Sequence, residues 1–242
     1  EKDFKTFYPT SVMETGWDIL FFWVARMVML GIYRTGKIPF KTVYLHGLVR
    51  DKDRQKMSKS KGNVINPLSV IENYGTDALR MALIIGNTAG NDIVISEEKI
   101  RGYRNFTNKI WNASRFVLMN LKDFSPSKKP ALTSKDKKIL KDLEKTEKKI
   151  TEYLEQFHFS LAGENLYHYF WHTFADKIIE QMKTRIRENK NKASAQYVLY
   201  QILSRSLVLL HPFMPFVTEA IWQKLPKEKG KNNLLIIEKW PN

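Results

Sequence analysis

A β-branched, apolar run at residues 42–49 (TVYLHGLV) reads as a buried strand, and it leads into the loop Lys56-Met57-Ser58-Lys59-Ser60-Lys61-Gly62-Asn63. Asn66-Pro67 follows, a helix cap with proline at the first helical position. This succession of strand, basic loop and capped helix constrains the fold more than any other part of the sequence. The loop gathers three lysines, two serines and a glycine. Lysine is a compact charge on a flexible stem, serine hydroxyls and free backbone N–H groups add donors, and glycine allows close approach. The matching chemistry is stabilisation of a polyphosphate whose charge moves during reaction.

The chain has 242 residues, enough for one large domain or two smaller ones. With 43% hydrophobic residues it can pack a core. It has no cysteine, which excludes disulfides and thiolate metal sites and fits a reducing compartment; a cytoplasmic location is expected. Forty basic against 25 acidic residues leave a net charge of +15. That favours a polyanionic partner, nucleic acid ahead of an anionic membrane. No signal peptide is visible, and the apolar run 19–30 is short and contains Arg26, so it predicts a buried helix rather than a membrane span. A start at Glu1 in mid-pattern suggests a piece of a longer protein.

Thr15 or Asp18 is expected to cap a helix running to Gly31, apolar on nearly all sides and therefore buried between other elements. Further helices are expected from Pro67 to about Tyr74, and over 77–85 with Thr76 as cap. Residues 92–95 read as a short extended piece. From the Ser96 cap onward the pattern changes to long helices, near 97–117, 134–156, 160–189, 193–210 and 215–225, with a terminal strand or extended tail at 234–237. The division therefore falls at about residue 95: domains 1–95 and 96–242.

Lys56 to Ser60 match letter for letter the second signature of the class I aminoacyl-tRNA synthetases. Asp77-Ala78-Leu79-Arg80 resembles the motif that names their anticodon-binding bundle. His211-Pro212-Phe213-Met214-Pro215-Phe216, with Glu219, resembles the late-bundle signature of the Val/Ile/Leu/Met subgroup. Residues 15–27 (TGWDILFFWVARM) are similar to the valyl version of that helix and lack the Gln and Arg-Gly-Trp-Phe run of the isoleucyl one. The resemblance implies a mainly α chain: the C-terminal remnant of a Rossmann-type catalytic domain, then an α-helical anticodon-binding bundle. The implied activity is that of a valine–tRNA ligase. Valine attacks the α-phosphorus of ATP to give valyl-adenylate, and the valyl group then passes to tRNA(Val). ATP would bring Mg2+ as its counterion. The His-Ile-Gly-His signature and the editing domain belong to an N-terminal half, which the chain would need as a partner in order to act. A stand-alone tRNA-binding module and an isoleucyl or leucyl synthetase are the competing readings.

By the same resemblance Lys56 and Lys59 are the catalytic candidates, with Ser58 and Ser60 shaping the loop. Gly16 and Asp18 match positions at the ATP ribose, although Asp18 could equally be a cap. His46, Gly47, Leu48 and Val49 would present backbone to adenine, and His46 could also be a plain core histidine. Trp23 matches a wall of the amino-acid pocket. In the bundle, Arg104, Asn105, Asn108, Asn112, Arg115 and Phe116 are the tRNA candidates. Helical spacing puts Asn105, Asn108, Asn112 and Arg115 on one polar stripe, and Phe116 matches a stacking aromatic of the family. Asp77 and Arg80, three apart, could form an ion pair. Glu164, His168 and His172 have metal-compatible spacing but no wider motif, so packing is expected there and no metal.

Overall fold

The computed structural model describes residues 1–227 and 234–241, with the Lys59 side chain outside that description. Its contacts group into two compact units: residues 1–64 with 86–95, and residues 65–85 with 96 onward.

The first unit opens with α1 (Lys2–Phe7) and β1 (Thr10–Gly16). A 3-10 turn (Trp17–Ile19) and a π-helical segment (Leu20–Val24) lead into α2 (Ala25–Thr35). β2 (Phe40–His46), β3 (Val49–Arg50) and β4 (Ile93–Val94) complete it. β1 pairs with β2 in parallel, from Thr10 opposite Phe40 to Gly16 opposite His46. β3 pairs in parallel with β4, Val49 opposite Ile93.

Three expectations change here. β1 had no place in the sequence reading, and it takes the residues assigned to the start of the apolar helix; neither Thr15 nor Asp18 caps anything. The expected strand 42–49 begins earlier and breaks at Gly47. A Cβ on Gly47 would lie 1.8 Å from the Asn91 carbonyl oxygen, so only glycine lets the two backbones pass this closely. Finally, the apolar helix is not buried. Phe21 is 76% and Tyr33 90% exposed, and only Val24 in the π-helical segment is buried, because no element of this unit covers that face.

The second unit is helical: α3 (Pro67–Tyr74), α4 (Thr76–Ile84), α5 (Glu97–Met119), α6 (Ser134–Glu155), α7 (Phe159–His168), a π-helical stretch (Tyr169–Ile178), α8 (Ile179–Arg187), α9 (Lys192–Leu210) and α10 (Pro215–Trp222). The caps at Asn66 and Ser96 form as expected, accepting from Leu68 N–H at 3.0 Å and Lys99 N–H at 3.2 Å. Thr76 does not cap; it is the first residue of α4, after Gly75 at φ +85°. Thr133 and Asp136 close a reciprocal capping box on α6. The helix expected over 160–189 runs as α7, the π-helical stretch and α8 in succession. One core joins α4 to α10, centred on Met81, Phe106, Ile110, Leu143, Phe170, Phe174, Leu199 and Phe213. Leu235–Ile237 forms a 3-10 turn rather than a strand or an extended tail, tied by Leu235 N–H to the Glu219 carboxylate at 2.9 Å.

Candidate nucleotide loop and RNA-facing helices

The basic loop is built on β3. Arg50 bridges to Lys56, and the chain between them turns on Asp51, whose Oδ1 accepts the N–H groups of Gln55 (2.7 Å) and Asp53 (3.0 Å). Asn63 then closes the loop. Its Nδ2 donates to Asp51 Oδ2 at 2.7 Å and to the Lys56 carbonyl at 3.3 Å, and its Oδ1 accepts the Ser58 N–H at 2.9 Å. These bonds, that from Asn63 first, hold the Asp51 carboxyl below its ordinary range. The Lys56 side chain is exposed, and the Ser58 and Ser60 hydroxyls lie 3.2 Å apart. Lys59 opens a 3-10 turn, Lys59–Lys61, and its side chain lies outside the described residues. Sequence reasoning missed Asp51 and gave Asn63, the last residue of the loop, no role in closing it: the motif letters end at Ser60, and the two partners lie 12 positions apart.

At the end of β1, Gly16 and Asp18 are brought together. A Cβ at Gly16 would stand 2.6 Å from Asp18 Oδ1, so glycine is what lets the carboxylate fold back over the strand end. His46 Cε1 would be 3.5 Å from the same point; its Nδ1 lies 2.9 Å from the Gly47 carbonyl and its Nε2 3.4 Å from Glu14. Leu48 and Val49 follow. The backbone here is fixed by Asp92, a further residue that the sequence did not reveal: it accepts from the Leu48 N–H at 2.8 Å, the Trp17 indole at 3.3 Å and the Arg50 guanidinium. The Leu48 N–H and the Arg50 contact hold the Asp92 carboxyl low. Trp23 is 53% exposed on the π-helical segment. An open cleft of about 630 Å³ alongside is lined by Trp17, Asp18, Leu20, Phe21 and residues of α2, and Trp23 is not part of that lining.

In the second unit Arg104, Asn105, Asn108, Asn112 and Arg115 are all exposed on α5, while Phe106, Ile110, Ala113 and Val117 point into the core. Phe116 is half-buried at the edge of this stripe. Lys183 of α8 places its Nζ 5.2 Å above the Phe116 ring, and the two line a cleft of about 420 Å³ with Asn120, Thr184 and Arg187. The expected Asp77–Arg80 ion pair does not form. Asp77 instead accepts backbone N–H groups of α10, and Arg80 donates to the carbonyls of Pro212 (2.8 Å) and Phe213 (3.2 Å). His172 pairs with Asp176 at 3.5 Å, and Glu164 accepts from Ser160 at 2.9 Å. Among the described residues no cluster of three or more His, Asp or Glu could hold a metal, and no helix is long and apolar enough to cross a membrane.

Residues 1–96 match the family of tRNA synthetases class I (I, L, M and V), and residues 136–242 match the anticodon-binding domain of tRNA ligase. The chain belongs to the class I tRNA synthetases. Within that class its likeness is to valine–tRNA ligases. It is 52% identical to that of Syntrophotalea carbinolica over 93% of this chain and 26% of the relative. It is 49% identical to that of Geobacter sulfurreducens over 97% of this chain and 27% of the relative. The chain thus spans about a quarter of the length of the curated relatives it matches. A solved Agrobacterium radiobacter K84 LeuRS, in a ternary complex with tRNA and LeuAMS, superposes with a TM-score of 0.76 at 25% identity, over 96% of this chain and 28% of that one. Mycobacterium tuberculosis methionyl-tRNA synthetase gives the same TM-score at 21% identity, over 91% of this chain and 45% of that one, a likeness of fold alone. These relatives favour the valyl reading over an isoleucyl or leucyl one and over a free-standing binding module.

Proposed function

We propose that this chain serves ATP-dependent activation of valine and its transfer to tRNA(Val). The observation that carries this reading is the loop 56–63, closed at its base and exposing Lys56, in a chain about half identical to valine–tRNA ligases. Adenylate formation calls for positioning and charge stabilisation rather than covalent catalysis. Lys56 and Lys59 neutralise charge on the transferring and leaving phosphates, and Ser58 and Ser60 shape the loop. Gly16 and Asp18 hold the ribose. Residues 46–49 present their backbone to adenine, and Trp23 walls the valine pocket. Mg2+ arrives with ATP as its counterion. The α5 stripe, with Arg104, Asn105, Asn108, Asn112 and Arg115, meets the anticodon loop, and Phe116 stacks a base. The N-terminal half of the same enzyme supplies the rest of the active site, in the cytoplasm.

The test is valine-dependent pyrophosphate exchange by the full-length enzyme carrying Lys59→Ala. A fall of about 10²–10³, or roughly 2.7–4 kcal/mol, is expected by analogy with loss of one oxyanion-hole donor. An unchanged rate would remove the loop from the reaction. For the bundle, binding of tRNA(Val) is compared with an anticodon-swapped copy across a salt series. Equal affinity with a steep salt slope would mean backbone electrostatics alone and no anticodon reading.

A further inference from the structure

Among the described residues the Lys-Met-Ser-Lys-Ser run has little of its own to fix it in place, and its one ladder contact is the bridge from Lys56 to Arg50. Beyond Ser58 the described residues of the loop have a backbone bond from Lys61 N–H to Ser58 O at 3.2 Å, the Ser58–Ser60 hydroxyl contact and a bond from Lys61 Nζ to Gln55 Oε1 at 3.3 Å. Residues 60–62 are exposed, and Gly62, at φ +66°, has open space where a Cβ would stand. Against this, Asn63 uses one amide to tie three points together: the Asp51 carboxylate, the Lys56 carbonyl and the Ser58 N–H. Asp51 in turn is anchored to the backbone at Asp53 and Gln55. The loop is therefore held at its base by a side-chain pair and, among the described residues, tied toward its tip to the chain outside it by the longer bond from Lys61 to Gln55.

We infer that Asp51 and Asn63 form a clasp that aims the loop 56–62 at the phosphates, which makes Asn63 a positioning residue for adenylate formation. This rests on the synthetase reading above. The chemistry of the pair explains why the amide stands at 63 and the carboxylate at 51. Position 63 must donate to Asp51 and to the Lys56 carbonyl while accepting from Ser58, which only an amide does. Position 51 only accepts. An aspartate at 63 would face a second carboxylate. Exchanging the two residues restores the 51–63 bond and the acceptor for Ser58, and replaces the weaker bond to the Lys56 carbonyl by a carboxylate oxygen facing that carbonyl, so recovery is partial.

The test uses the full-length enzyme with Asn63→Ala, Asn63→Asp and the exchange double variant Asp51→Asn/Asn63→Asp. Pyrophosphate exchange is resolved into kcat and KM for ATP, and trypsin nicking after Lys56, Lys59 and Lys61 reports how firmly the loop is held. Both single variants should lose kcat by about 10²-fold, the cost of misplacing a catalytic group by about an ångström. KM for ATP should move far less. Nicking should quicken in both, and the exchange variant should recover both readouts in part. Faster nicking with unchanged kcat would overturn the proposal while leaving the synthetase reading intact. So would unchanged nicking, or a loss of kcat that the exchange variant does not recover. A wild-type enzyme without valine-dependent exchange would overturn the synthetase reading itself, and the clasp's role with it.

Discussion

Asp77 caps a helix that begins far along the chain: its carboxylate accepts the Val217 N–H at 2.7 Å, across 140 residues of sequence. It also takes the Phe216 N–H at 3.2 Å. These are donors at the second and third positions of α10, whose own N-cap residue, Met214, offers no side-chain bond. Arg80, one turn further along α4, holds the carbonyls of the preceding turn. The Asp-Ala-Leu-Arg motif thus grips the His-Pro-Phe-Met-Pro-Phe segment by both its donors and its acceptors.

Asp77→Ala should cost about 2 kcal/mol, the range for a lost cap bonded to a charged group, read as a lower denaturant midpoint with an unchanged slope. Burial raises the Asp77 carboxyl, partly offset by the Val217 and Phe216 N–H groups. A raised folded value means that this group's share of stability is fully present below the unfolded value of about 3.9 and is lost as pH rises through the folded one. The stability gap between wild type and Asp77→Asn should therefore be wider at about pH 3 than at about pH 7. A gap that widens with pH would contradict this account.

Glu147 on α6 is 1% exposed, is paired with Arg205 of α9, and has no partner for Oε1 among the described residues. Arg205→Leu leaves that carboxylate buried alone and should cost about 3–5 kcal/mol at neutral pH. Burial pushes the Glu147 carboxyl up, so the variant should regain stability relative to wild type as the medium is acidified. Adding Glu147→Leu to Arg205→Leu should recover most of the loss. Thermal melts of the two variants decide it, and a double variant no better than the single one would contradict the pairing.

Asp136 behaves in the opposite sense. Burial alone would raise its carboxyl, but the Arg185 guanidinium at 2.6 Å and the Thr133 bonds outweigh burial and hold it low. Its contribution is present above about pH 3.9 and is lost as pH falls through the depressed folded value. Asp136→Asn should lower stability at neutral pH and flatten the acid limb of the stability curve. An acid limb as steep as that of wild type would assign the acid sensitivity to other carboxylates.

The exposed face of Phe21, Phe22, Leu30 and Tyr33 should make this chain self-associate, since contiguous apolar surface of this kind is rarely left in water. Replacing Phe21 and Phe22 with serine should raise the concentration at which light scattering begins. Scattering that is indifferent to the change would place the sticky surface elsewhere.

What could be read from the sequence was local. Asn66-Pro67 and Ser96 announce their helices because a cap and its donor lie two or three residues apart. The α5 face was legible because its apolar residues repeat at helical spacing. β1 was not, because Val12 and Met13 are both half-buried neighbours and break the alternation that marks a strand. The polar contacts that organise the site were hidden for another reason. Asp92 reaches Leu48 over 44 positions and Asn63 reaches Asp51 over 12, and neither residue type at such a distance carries a pattern. The Lys-Met-Ser-Lys-Ser letters revealed the loop but not the two side chains that close it.

The chain leaves the first unit after residue 64, returns at 86 and leaves again after 95. During synthesis β3 must therefore wait for β4 while α3 and α4, helices of the other unit, emerge from the ribosome in between. No single break in the backbone releases either unit whole. A cut after residue 95 would carry α4 away from α5, α7 and α10, against which it packs, and would leave both products incomplete.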